Sequence, residues 1–185
     1  MTAAPATTAS CVLVRDSADL TAHHQIRNAV FVDEQGVFAE SDADIRDLDP
    51  RTLHVLGLVD GVPAGAVRLY PLDDSDGLWQ GDRLAVLREF RAVGLGAPLV
   101  RFAVATATAH GGRCMVAHVQ PPNETFFRRL GWVRRGAPEI YVGRPHLLMD
   151  IDLRQASQGG GGCSGSGSPG TGSGRSGVTG SPPVQ

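Results

Sequence analysis

Arg91-Ala92-Val93-Gly94-Leu95-Gly96-Ala97-Pro98 runs from a short apolar segment straight into an alanine-rich one, and that spacing could bind an anion. A glycine-rich turn at a helix N-terminus presents consecutive backbone N–H groups, to which the helix dipole adds. Val93 to Ala97 would supply the amides, Gly94 and Gly96 would keep side chains out of the way, and Arg91 would add charge. Two familiar phosphate motifs do not fit. The fingerprint GxGxxG fails at Leu99, and it would follow a first strand, not the fourth. The P-loop fails for want of a lysine, because all seventeen basic residues are arginine. The same absence excludes a lysine Schiff base. Two glycines alone leave a tight structural turn as open as an anion site.

Other reactive side chains are scattered. His23, His24 and His110 read as ordinary helix residues, and His54 as a structural residue of a strand. Cys11, Cys114 and Cys163 have no CxxC spacing, so no metal site is expected. An acidic loop carries Glu40, Asp42, Asp44, Asp47 and Asp49, interrupted by Arg46. It reads as a solvated loop, with attraction of a cationic amine as the functional alternative. Asp73, Asp74 and Asp76 read as turn chemistry.

These residues need a scaffold, and the chain of 185 residues with 42% hydrophobic content is enough for one domain. A net charge of −2 gives no basic excess for nucleic acid. No apolar run approaches a membrane span, and the start lacks a basic n-region, so a cytoplasmic protein is expected. Residues 1–10 read as a flexible N-terminus, 11–156 as the domain, and 157–185, nearly all Gly, Ser, Thr and Pro, as a disordered tail.

The hydrophobic period switches along that domain. Cys11–Val14 suits a first strand, and Asp16 or Ser17 can cap a helix whose apolar stripe is Ala22, Ile26, Ala29 and Val30. His54–Val59 and Ala64–Tyr70 form a hairpin across Asp60-Gly61. Arg83–Leu87 is a strand. Leu99–His110 is a helix apolar on every side, with Pro98 in its first turn and Gly111-Gly112 past its end, and it should be buried. Cys114–Val119, a short helix over Glu124–Leu130, and strands at Trp132–Arg135 and His146–Leu153 complete the order β-α-β-β-β-α-β-α-β-β. That order implies an α/β (α+β) fold, a mixed sheet with helices on its faces.

With the elements placed, RLAVLREFRAVGLGAPLV resembles the coenzyme-A motif of the GCN5-related N-acetyltransferases (the GNAT family). Arg91, Gly94 and Gly96 fill its three defined positions. PPNETFFRRLGW is similar to the family's Asn-x-x-aromatic-aromatic-x-x-x-Gly-aromatic element at Asn123, Phe126, Phe127, Gly131 and Trp132. RNAVFVDEQG and PHLLMDI resemble the ElaA-like branch, and the whole domain resembles small acetyltransferases associated with nitrogen starvation. The likeness covers about residues 11–153.

The resemblance implies a mostly antiparallel twisted sheet whose fourth and fifth strands splay apart around the pantetheine arm of acetyl-CoA. Backbone groups of Ala85, Val86 and Leu87 would hold that arm, with Val86 polarising the thioester carbonyl. The loop Arg91–Ala97 would hold the pyrophosphate, and Asn123, Phe126 and Phe127 would border the cofactor. Direct attack by an amine needs a base and an acid. His118, at the end of the fifth strand in AHVQ, is the implied base, with Glu34 as an alternative. An imidazole titrates near neutral pH, as the role requires. Arg27, Phe31 and His146 would line the acceptor pocket. Many relatives use a tyrosine as acid where this chain has Phe127, which cannot donate a proton. The implied activity is transfer of acetyl to the primary amine of a small molecule or peptide, without metal, nucleic acid or membrane, and with a homodimer left open. Two alternatives stand beside it. One is a non-catalytic CoA-binding module, because of Phe127. The other is an acyl-homoserine-lactone-synthase-like enzyme, because of Arg27-Asn28-Ala29-Val30-Phe31.

Overall fold

The computed structural model describes residues 7–73 and 76–154. The expected tail, Cys163 and Asp74 lie outside them. The strands and helices follow the expected order. They are β1 (Ala9–Leu13), α1 (Ser17–Asn28), β2 (Leu53–Val59), β3 (Val62–Asp73), β4 (Leu78–Val86), α2 (Gly96–Ala109), β5 (Cys114–Val119), α3 (Glu124–Arg129), β6 (Val133–Tyr141) and β7 (Arg144–Asp152). β1 begins two residues before the expected boundary, inside the stretch read as flexible. The seven strands form one sheet in the order β1-β2-β3-β4-β5-β7-β6. Every neighbouring pair is antiparallel except β4 with β5. No helix of the described residues is long and apolar enough to cross a membrane.

Local chemistry explains the boundaries. The Asp16 side chain accepts the Asp19 N–H at 2.9 Å and caps α1. Asp60 (φ 49°) and Gly61 (φ 82°) make the left-handed pair that a two-residue hairpin requires. α1 runs on as a π-helix over Ala29–Glu34, a form that concentrates at functional sites.

Each face of the sheet has its own core. Ile26, Val30 and Phe31 of the first helical segment pack on Leu56, Ala66 and Ala85. On the other face, Leu99, Ala103 and Ala107 of α2 pack with Val55, Val67 and Leu69. Adjacent residues such as Val55 and Leu56 serve opposite faces, as strand alternation demands. α2 is not buried all round. Arg101, Ala105 and Thr108 face outward, because a helix lying on one face of a sheet buries only the side toward it.

At Gly65 the side chains of α2 press directly on the sheet. A Cβ there would lie 2.7 Å from Leu99 Cδ1 and 3.1 Å from the Ala85 carbonyl oxygen. Gly65→Val should therefore cost on the order of 1–3 kcal/mol, read as a lower midpoint in thermal or urea unfolding. A midpoint equal to the parent's would mean that α2 can lift without loss.

Candidate active site

β4 and β5 pair only through Leu78–Cys114, Trp79–Met115 and Gln80–Val116. Beyond Gln80 they part, and this is the expected splay. β4 continues along β3, with Ala85 opposite Ala66 and Val86 opposite Gly65. Leu87 closes the strand. Its N–H donates to the Ala64 carbonyl and its own carbonyl accepts from Phe90 N–H, both at 2.9 Å. The Leu87 N–H is thus not free for a ligand. Alternation turns the amide of Val86 the other way, toward β5. Its carbonyl already accepts from Arg91 Nε at 3.1 Å.

The glycine turn follows. Arg88–Val93 is a 3-10 segment ending at Gly94, whose φ of 81° suits glycine. The Gly94 N–H donates to the Arg91 carbonyl at 3.1 Å, so it is not among the amides offered to a ligand. No side chain caps α2. The N–H groups of Leu95, Gly96 and Ala97 are the first-turn donors such a helix leaves unpaired. Leu95 contributes only its backbone there, because its side chain is fully buried against β2 and β3. Ala92 and Val93 are exposed beside it. Phe126 packs 3.4 Å from where a Cβ on Gly96 would stand.

Arg91 forms a two-bond ion pair with Glu34, at 2.7 and 2.6 Å. Those bonds hold the Glu34 carboxyl below its usual range, although desolvation works against them. A carboxylate so stabilised is a poor base, and Glu34 ties the π-helix to the glycine turn through Arg91.

A cleft of about 940 Å³, open mouth included, lies below the splay. It takes in the expected residues Phe31, His118, Asn123, Phe127 and His146. It does not extend to Ala85, Val86 or the glycine turn. Phe127 is largely core, edge-on to Phe126 and to Trp132. Two links close the roof. Gln120 Nε2 donates to Gln35 Oε1 at 3.1 Å, and Arg144 Nη2 donates to the Gln35 and Gly36 carbonyls at 3.2 Å.

His118 has partners that its sequence neighbourhood did not reveal. Its Nε2 donates to Glu139 Oε1 at 3.0 Å, since a carboxylate oxygen accepts. Nδ1 is buried and has no hydrogen-bond partner among the described residues. The Tyr141 ring stacks on the imidazole, centroids 3.9 Å apart and 4° from parallel, and meets His146 edge-on at 5.5 Å. The β6–β7 register explains this meeting. Arg135 faces Leu148 and Glu139 faces His146, so four steps on β6 match two on β7, a bulge that curls the hairpin tip toward β5. No sequence motif singled out Tyr141. The chain has two tyrosines, and Tyr70 is buried.

Arg27 does not line the cleft. It is fully buried, donating from Nε to Asp42 at 2.7 Å and from Nη1 to Asp47 at 2.6 Å. Arg68 bonds Asp44, Asp47 and Asp82, and Arg83 bonds Asp42 and Asp44. The acidic loop is thereby folded onto three arginines. The carboxylates of Asp42, Asp44 and Asp47 are spent on them, while Glu40 stays exposed and Asp49 pairs with Arg51.

Away from the cleft, His23, His24 and His54 converge.

The profile of the Acetyltransferase (GNAT) family matches residues 20–132. A Bacillus subtilis protein named as an acetyltransferase, BSU40680, is 30% identical over 132 residues, covering 71% of this chain and 88% of that protein. Among solved structures, a Lactobacillus plantarum protein named as an N-acetyltransferase matches with a TM-score of 0.70 at 23% identity, over 78% of this chain and 98% of its own. Escherichia coli ElaA matches with a TM-score of 0.67 at 24% identity, over 78% of this chain and 99% of its own. At that identity the two structures speak for the fold alone.

Proposed function

The chain belongs to the GNAT family of acetyltransferases, and on that premise we propose that it moves an acetyl group from acetyl-CoA to the primary amine of a small molecule or peptide by direct attack. The observation that carries this reading is the group of His118, Glu139 and Tyr141 at the end of β5, where β4 turns away. Acetyl-CoA supplies the activated acyl group and a good leaving thiolate. The uncapped amides of Leu95, Gly96 and Ala97 suit its pyrophosphate, and the Val86 N–H suits the carbonyl oxygen as it gains charge.

His118 accepts the amine proton, while Glu139 beside its Nε2 fixes the ring and stabilises the imidazolium that forms. Tyr141 takes the role of acid that Phe127 cannot fill, protonating the thiolate through its phenol. Phe31 and His146 border the acceptor.

The test is an acetyl-CoA-dependent thiol-release screen over polyamines, amino acids, aminoglycosides and peptide N-termini. His118→Ala should lower kcat roughly 30-fold and flatten its pH profile, and Tyr141→Phe should lower it roughly tenfold. Affinity for CoA should change by less than about twofold in both. An unchanged rate and pH profile in His118→Ala would remove it as the base. CoA binding with no thiol release from any amine would favour the CoA-binding module.

A further inference from the structure

Three histidines stand outside the cleft and have no part in the proposed chemistry. His23 and His24 are adjacent on α1 and His54 is on β2, with one ligand nitrogen of each within 4.8 Å of the others. His23 Nε2 donates to the Val67 carbonyl at 3.2 Å, which leaves the lone pair on Nδ1. That Nδ1, His24 Nε2 and His54 Nδ1 are all buried and have no hydrogen-bond partner among the described residues. A native fold seldom leaves even one such atom unsatisfied. Here three such histidines stand together.

We propose that His23, His24 and His54 form a three-histidine site for a divalent transition-metal ion of the zinc class, tying α1 to β2. Neutral imidazole nitrogens are ligands such ions favour. Burial holds His23 down to about 3 and His54 to about 4, and lowers His24 too, so the nitrogens stay unprotonated at neutral pH. Nitrogens at zinc–ligand distance stand roughly 3.3 Å apart, so binding would draw the three rings closer together. The bond from His23 to Val67 is the outer contact that ligating histidines commonly make.

The surroundings suit a cation. Arg27 and Arg68 stand nearby and oppose one. Yet in the network they share with Arg83, three guanidiniums face the four carboxylates of Asp42, Asp44, Asp47 and Asp82, an excess of one negative charge. Asp47 Oδ1 lies 3.8 Å from His24 Nε2 but is held by Arg27 at 2.6 Å, so the fourth ligand is water. The His24 side chain is 39% exposed and opens on a small surface cavity beside Gln25, Asn28 and Asp42, an entry path for the ion.

The full chain, stripped with EDTA, is titrated with Zn²⁺ by calorimetry and with Co²⁺ by visible absorption. One Zn²⁺ should bind per chain with a Kd below about 1 μM, Co²⁺ should give the intense bands of a tetrahedral site, and saturating zinc should raise the thermal midpoint. His24→Gln, at a partly exposed position that tolerates replacement, and His54→Gln should each weaken binding at least about 100-fold. The double variant His118→Gln/His146→Gln should retain it, which separates this site from the cleft. No binding up to about 100 μM Zn²⁺, or binding that survives both His24→Gln and His54→Gln, overturns the proposal.

Discussion

Gly94→Glu is expected to weaken acyl-CoA binding more than 100-fold while leaving the domain folded. Gly94 sits at φ 81°, where any L side chain is strained by about 1–2 kcal/mol. A Cβ there meets nothing within 4 Å, so packing adds no further cost. The new carboxylate would project beside the uncapped start of α2, onto the amides proposed for the pyrophosphate. It would fill that anion site and repel a second anion, and a 100-fold loss corresponds to about 2.7 kcal/mol. Gly94→Ala separates strain from charge. It carries the same backbone penalty without the carboxylate, and should bind CoA within about tenfold of the parent. Gly96→Ala is a further control, since its Cβ would make an ordinary 3.4 Å contact with Phe126. Calorimetry showing equal CoA affinity in Gly94→Glu and parent would move the pyrophosphate away from this turn.

The sequence told most about what short-range chemistry decides. Asp16 capping α1, the Asp60-Gly61 turn, the glycine turn into α2 and the limits of β5 all depend on residues within a few positions of one another. β4 was read short, because Gln80 and Asp82 break the apolar run of a strand. In the structure Arg68 takes up the Asp82 carboxylate at 2.7–2.8 Å, and the polar residue becomes compatible with the sheet. The candidate site was legible only in part. His118 could be named from its place on β5, but Glu139 and Tyr141 reach it through a bulge whose register no local pattern announces. Arg27 and the acidic loop were misread for a related reason. A buried arginine and a solvated one look alike until the carboxylates 15 and 20 positions away are seen to close on it.

That network should also dominate stability. Arg68→Met is expected to cost about 3–5 kcal/mol, the usual penalty for removing one partner of a buried ionic cluster. This is a large share of a typical total of 5–15 kcal/mol. Arg68 is fully buried, and the side chains of Asp82 and Asp47, which it bonds, are 7% and 6% exposed. Its loss strands Asp82, left with Arg83 at 3.9 Å, while Asp47 keeps its bonds to Arg27. Replacing the partner as well, in Arg68→Met/Asp82→Leu, should recover part of the loss, because the cost lies in the uncompensated charge more than in the missing attraction.

The same cluster sets an acid limit. Burial disfavours ionised Asp47, yet hydrogen bonds from Arg27 and from the Asp44 backbone, with the charges of Arg27 and Arg68, outweigh it and hold the carboxyl below its ordinary value. Asp44 is lowered likewise, against burial, by Arg68. Carboxyls depressed in the folded state stabilise it fully above their unfolded value near 4, and that contribution fades as pH falls below it. Urea unfolding in EDTA should therefore show the parent losing stability steeply below about pH 4. Arg68→Met should be weaker at pH 7 but less sensitive to acid, so the two curves converge toward low pH. Parallel curves, or a cost under about 1 kcal/mol at neutral pH, would mean that hydrophobic packing holds the acidic loop and the arginines merely accompany it.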